Sequence, residues 1–226
     1  MKKIYFILCL ISTSLTSFST EFTRELDDFT SVEVVGNYVI KFVKSTSTKL
    51  VVDNKDVKVE DNEVLAVVHD GKLKIQLQRD TYVKRNITMT LYYKNLDNIA
   101  ARRGTVIQVD KLITDQLALS VQYGGRIKLE AMVTSVNISI KSGGTVKISG
   151  VAEKAEFSIQ TGGTIAASFF PTKIAVASVQ MGGEMILNVT EELNASVKAG
   201  GEISFKGKPT VNKTIKLGGK IESLDN

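Results

Sequence analysis

Six Gly-Gly pairs recur through the second half of this 226-residue chain, at Gly124-Gly125, Gly143-Gly144, Gly162-Gly163, Gly182-Gly183, Gly200-Gly201 and Gly218-Gly219. Their first glycines lie 19, 19, 20, 18 and 18 residues apart. A period of this size that tolerates small insertions marks a structural repeat in which each unit lies on the one before it. One unit offers only a narrow apolar edge and cannot bury it alone, so the units must stack.

The residues around each pair say how they stack. Three before it stand Val121, Ile140, Ile159, Val179, Val197 and Ile215, and the second residue after it is Ile127, Val146, Ile165, Met185, Ile203 or Ile221. These positions keep one parity on each side of the pair, so they face one interior. The other parity is polar. Four before the pair stand Ser120, Ser139, Ser158, Ser178, Ser196 and Thr214, and two before it stand Gln122, Lys141, Gln160, Gln180, Lys198 and Lys216. Parallel stacking brings equivalent residues about 4.8 Å apart. The pattern therefore predicts apolar ladders inside and hydroxyl and Gln/Lys ladders outside.

The expected fold class is all-β, a single-stranded parallel β-helix or closely related β-solenoid; the right hand is favoured because parallel crossovers default to it, the alternative being a left-handed helix of similar turn length, for which no sustained six-residue repeat is found. Alternation rich in Val, Ile and Thr appears almost everywhere, and helical periodicity does not. The diglycines suit corners, since a tight bend repeated in one place needs φ values that a Cβ penalises. Pro171 and Pro209 fall between units, where a missing ladder donor does no harm. Earlier in the chain, Asp70-Gly71 between two strand-like runs is a strong two-residue hairpin signal. Residues 20–85 are expected to form irregular antiparallel strands and residues 86–226 the stacked repeats, with Ile99 to Val109 a degenerate first unit carrying Arg103-Gly104 in place of the pair.

The start reads Met1-Lys2-Lys3, then an apolar run to Leu15, then Ser17-Phe18-Ser19. That is the layout of a secretory signal peptide over residues 1–19, followed by one domain over 20–226. The chain is accordingly expected to be exported to the periplasm, the outer-membrane surface or the outside. Cys9 is the only cysteine and falls in that segment, so disulfides, thiolate metal sites and cysteine nucleophiles are excluded from the mature chain. Removing Lys2 and Lys3 leaves 27 basic against 24 acidic residues and lowers the net charge from +5 to +3. This is far from a nucleic-acid binder, and no other segment approaches the roughly 20 apolar residues of a spanning helix.

The stretch Phe29-Thr30-Ser31-Val32-Glu33-Val34-Val35-Gly36-Asn37-Tyr38-Val39-Ile40, the Asp70-Gly71-Lys72-Leu73-Lys74-Ile75 hairpin and the chain of Ser-(Val/Ile)-x-x-Gly-Gly-x-(Ile/Val) units resemble the head GIN domain of putative auto-transporter adhesins. The resemblance covers residues 25 to 224. It implies an all-β, β-helical body, secretion or surface association in bacteria and a role in adhesion, and it brings no catalytic residues. The chain has no recognisable membrane-barrel segment of the kind a self-secreting auto-transporter would carry.

Parallel β-helices include polysaccharide lyases and hydrolases, whose sites need paired carboxylates, often with a Lys or Arg. Among the repeat acids only Glu184 and Glu202 share a repeat position in adjacent units, and Lys220 follows them. This reads as a surface charge ladder. The diglycine units lack the Gly-Gly-x-Gly-x-Asp of a calcium roll and the Lys-Ser/Thr of a phosphate loop. The sole histidine, His69, reads as a solvated strand end. No cofactor, metal or catalytic residue is assigned.

Five Asn-x-Ser/Thr triplets begin at Asn86, Asn137, Asn188, Asn194 and Asn212 and read as unmodified; Asn137, Asn194 and Asn212 fall six residues before a glycine pair, so the repeat itself generates those three. Two features suit binding: a basic strip of Arg126, Lys128, Lys141 and Lys147, and Phe169-Phe170-Pro171 projecting in the longest interval. The reading is a non-catalytic binding module that presents an extended surface to glycans, envelope polymers or a surface protein. Its alternatives are a carbohydrate-active β-helix enzyme and a structural module that assembles with itself into a homo-oligomer.

Overall fold

The structure is a computed structural model that describes residues 21–53, 61–78 and 87–225. The expected signal peptide, Cys9 and the Asn86 triplet lie outside the described residues. In chain order the strands are β1 (Glu21–Glu25), β2 (Ser31–Val35), β3 (Tyr38–Lys44), β4 (Lys49–Asp53), β5 (Val64–His69), β6 (Lys72–Leu77), β7 (Ile87–Tyr93) and β8 (Asn98–Arg102). Then follow β9 (Val106–Gln122), β10 (Arg126–Ile140), β11 (Thr145–Thr161), β12 (Thr164–Met181), β13 (Glu184–Ala199), β14 (Glu202–Lys206), β15 (Thr210–Leu217) and β16 (Lys220–Ser223).

They wind into a parallel β-solenoid of about 7 turns. Each long strand from β9 to β13 bends round the coil, and its halves belong to different faces. The pre-glycine face stacks β6, β2, β8, the C-terminal halves of β9 to β13, and β15. The post-glycine face stacks β7, β3, the N-terminal halves of β9 to β13, then β14 and β16. The middles of the long strands make a third side, where Leu112, Ala131 and Gly150 are in register.

All the aligned aliphatic positions but Ile215, which lies exposed on the last rung, are inside as expected. Val121, Ile140, Ile159, Val179 and Val197 are buried, as are all six residues two places after the glycines. Hydrophobic burial of this kind is worth about 25 cal/mol per Å² of apolar surface, and it runs the length of the coil as one cluster.

The corners explain the diglycines. Gly162 has φ +60° and open space around it, so only its left-handed backbone demands glycine. Gly163 has φ +117°, and a Cβ there would lie 2.8 Å from the Ile140 methyl and 3.0 Å from the Gly144 carbonyl of the turn below. The first glycine makes the bend and the second lets successive turns touch. In the earliest corners Arg103 (φ +55°) and Tyr123 (φ +52°) take a left-handed position before Gly104 and Gly124. Register sets Gly104-Thr105, rather than Arg103-Gly104, opposite Gly124-Gly125, because Arg102 pairs with Gln122 and Val106 with Arg126. Pro171 lies inside β12, where the pairing with β13 slips.

The N-terminal region is more regular than the sequence suggested, and its order is crossed. The Asp70-Gly71 hairpin joins antiparallel β5 and β6. Yet β2–β3 and β6–β7 are themselves parallel turns of the solenoid, and the turn made first lies between the other two, with β6–β7 on one side and β8–β9 on the other. Among the described residues antiparallel pairing is confined to the end: β5 covers β6, β4 covers β7, and β1 covers β4. The Arg24 guanidinium of β1 donates to the Val64 and Asp61 carbonyls at 2.7 Å each, which ties the two covering layers together.

Candidate functional site

The outward parity of the pre-glycine face forms three straight ladders. Ser120, Ser139, Ser158, Ser178, Ser196 and Thr214 are in register from turn to turn. On one side they are flanked by the Gln122, Lys141, Gln160, Gln180, Lys198 and Lys216 ladder. On the other run Ala118, Asn137, Glu156, Val176, Asn194 and Asn212. Small hydroxyls beside the longer Gln and Lys side chains make a trough along the solenoid axis, with repeats about 4.8 Å apart, hollowed over Ser178, Ser196 and Thr214. Amides bridge turns along its wall: Asn137 donates to Glu156 at 2.9 Å and Asn212 to Asn194 at 3.1 Å.

Where this face meets the third side, a groove of about 860 Å³ crosses five turns. Asp97, Asp115, Asn137, Lys154 and Glu156 line it with the apolar Ile174 and Val176. Sequence reading missed these residues. The repeat was recognised by identical side chains in each unit, and the column Ala118, Asn137, Glu156, Val176 changes character at every turn. Three carboxylates and a lysine share the groove, yet no ion pair joins them among the described residues.

The basic strip divides between faces. Lys128 and Lys147 are cross-strand neighbours on the post-glycine face and Arg126 precedes them on the same strand edge, whereas Lys141 lies on the pre-glycine face, across the glycine corner. Lys128 and Lys147 line a second groove of about 560 Å³ with Asp110, Glu130 and Phe169. Lys41 binds Asp110 at 2.8 Å, so the strip carries acids among its bases.

Phe169 and Phe170 part company. Phe169 is 77 % exposed and Phe170 0 %, so only the first is available to a ligand. The extra residue of the 20-residue interval enters as a bulge, since Lys147 pairs with Ala166 but Ser149 with Phe169. A bulge resets inward and outward parity, which turns Phe170 into the core. The Lys206 ammonium lies 6.0 Å from the Phe169 ring centroid. On the third side, Ile113, Met132 and Val151 form an exposed apolar ladder.

Two other expectations resolve simply. His69 lies 3.6 Å from Asp70 with both side chains largely in solvent. Glu184, Glu202 and Lys220 are in register, but the Lys220 ammonium binds Glu222 at 2.6 Å. No group of three or more His, Cys, Asp or Glu residues that could hold a metal ion occurs among the described residues.

Electrostatically the most constrained group is Glu33, buried on the pre-glycine face near its N-terminal end. Burial pushes its carboxyl pKa up, but the hydrogen bond from Lys72 and the charges of Arg102, Lys72 and Lys74 outweigh it and hold the group below its ordinary value. Lys72 approaches at 2.6 Å and Arg102 at 2.9 Å.

Against known proteins, residues 28–209 match the family model described as putative auto-transporter adhesin, head GIN domain. The fold is shared with a putative adhesin from Bacteroides fragilis NCTC 9343 at 22% identity and TM-score 0.79, covering 90% of this chain and 96% of that one. A putative adhesin from Parabacteroides merdae ATCC 43184 is similar at 18% identity and TM-score 0.71, covering 91% and 95%. A protein described as a putative lipid binding protein, from Parabacteroides distasonis ATCC 8503, is similar at 18% identity and TM-score 0.70, covering 92% and 98%. No curated protein matches the chain.

Proposed function

Since the chain belongs to the putative auto-transporter adhesin, head GIN domain family, we propose that it is an exported, non-catalytic binding module whose pre-glycine face holds an extended glycan or envelope polymer. The observation that carries this reading is the trough: a floor of hydroxyls in register over six turns, walled on one side by glutamines and lysines and on the other by a column that varies from Ala118 to Asn212. A linear polymer laid along the axis meets a hydroxyl at every turn and a Gln or Lys side chain beside it. Many weak contacts then add, as multivalent binding requires. The lysines at 141, 198 and 216 favour an anionic chain.

The test fills the floor. Ser158→Trp with Ser178→Trp should abolish retention on immobilised anionic glycans and on envelope fractions, while Lys128→Glu with Lys147→Glu on the other face should leave it intact. Retention untouched by the tryptophans overturns the reading, and loss caused only by the second pair moves the site to the groove beside Phe169. Release of new sugar ends from the same polymers would support the alternative of a carbohydrate-active enzyme, for which the carboxylates beside Lys154 are the observation in favour.

A second reading follows from the exposed ladder of Ile113, Met132 and Val151, together with the P. distasonis neighbour described as lipid binding. An apolar stripe of this kind suits an acyl chain. Flotation with neutral phospholipid vesicles that is lost in Met132→Glu would support it, and absence of flotation would end it.

A further inference from the structure

The two ends of the pre-glycine face are finished differently. At the N-terminal end β5 lies antiparallel over β6. At the other end β15 pairs only with β13 among the described residues, which leaves one edge of backbone donors and acceptors open. The cost shows in the side chains. Ile215 is 44 % exposed, although its counterparts in the five turns below are 0 to 1 % exposed.

Register gives this edge a particular pattern. The inward column reads Leu119, Ile138, Phe157, Ala177, Ala195 and then Lys213. An ammonium therefore occupies the place of a core residue, between Val211 and Ile215. Lys216 on the outward side of the same strand and Lys198 in the turn below add positive charge at this end, and β15 contains no carboxylate. An inward-pointing charge on an edge strand is a device against indiscriminate pairing. A second copy brought up by a two-fold axis would oppose lysine-bearing edges, and like charges directly across a ladder are unfavourable.

We propose that β15 is a docking edge for an extended acidic peptide of another protein, which adds as the next rung of the pre-glycine face. Strand addition of this kind takes affinity from the backbone ladder and specificity from alternate side chains. The incoming strand places a carboxylate over Lys213 and aliphatic side chains over Val211 and Ile215. The reading is independent of what the trough binds.

The experiment uses the full chain and two synthetic nine-residue peptides of alternating valine and threonine, one with glutamate and one with lysine at the central valine position. Fluorescence anisotropy should show the glutamate peptide binding about five to ten times more tightly, the effect of exchanging an attractive for a repulsive cross-strand pair. Lys213→Glu should reverse the preference and Lys213→Gln should erase it, with circular dichroism confirming that both variants keep the fold. No binding of the glutamate peptide, equal binding of the two peptides, or a preference that survives Lys213→Glu overturns the proposal. Sedimentation that shows the wild-type chain dimerising through this edge, with the dimer lost in Leu217→Lys, would give the edge to a second copy and overturn it equally.

Discussion

The early turns, built from β2–β3, β6–β7 and β8, and the late turns from β9 onward reach the same solenoid by different means. The late turns are held in line by their backbone: one glycine bends each corner and the next lets the turns touch. The early turns have no such pair and rely on side chains instead. Thr105 stands where later turns have the second glycine, and its buried hydroxyl lies within hydrogen-bond distance of the Gly36 and Arg102 carbonyls. The Leu77 amide donates to the Tyr38 hydroxyl at 3.0 Å, and Glu33 anchors Lys72 and Arg102 from the turns on either side. A repeat can therefore be lost from the sequence while the coil persists, provided that specific polar contacts replace the backbone device.

This contrast can be broken at either half. The largest effect is expected at the second glycine of a late corner. Gly163→Ala should cost about 3 kcal/mol, combining left-handed strain with a contact that the turn below cannot relieve, measured by urea denaturation. In the early half, Glu33→Gln leaves two cations facing each other and should cost about 2 kcal/mol.

The same residue predicts a pH dependence. The folded-state pKa of Glu33 is depressed, so its contribution is present above the ordinary value of 4.5 and lost as pH falls below it. Denaturation midpoints of the wild type and the glutamine variant should therefore converge in acid. A difference that persists unchanged to low pH would remove Glu33 from the account.

Smaller effects sharpen the distinction between the two glycines. Gly162→Asn keeps a residue that tolerates the left-handed region and meets open space, so the cost should stay below about 1 kcal/mol. A loss as large as that of Gly163→Ala would mean that both positions are packing positions. Smallest of all is Tyr93→Phe. The buried Tyr93 hydroxyl has no hydrogen-bond partner among the described residues, so removing it should be neutral or stabilising by up to about 1 kcal/mol, read as a change in thermal midpoint.

What the sequence revealed follows from the same contrast. The late turns were legible because parity survives in every unit: Val121 through Val197 inside, Ser120 through Thr214 outside. Residues 20–85 were read as antiparallel because only local signals were available there. Asp70-Gly71 does make its hairpin, but nothing local announces that β2 pairs with strands some 40 and 65 residues further on. Phe170 was misplaced for a related reason: the 20-residue interval disclosed an insertion without saying on which side of Phe169 parity would reset. Lys141 was grouped with Lys147 by outward parity, and parity does not distinguish one face from the next across a corner. The large groove escaped because its column of Ala118, Asn137, Glu156 and Val176 varies, and a repeat exposes only what it repeats.

Successive units lie directly on one another, in register. Cysteine pairs measure this in a Cys9→Ser background. Ser139 and Ser158 are register partners on neighbouring turns, at a backbone spacing of about 4.8 Å that a disulfide spans, whereas Ser139 and Ser178 are two turns apart. Oxidation should close Ser139→Cys with Ser158→Cys completely and leave Ser139→Cys with Ser178→Cys reduced. Failure of the first pair to close, or equal closure of both, would contradict the stacked column of corners and the trough built on it.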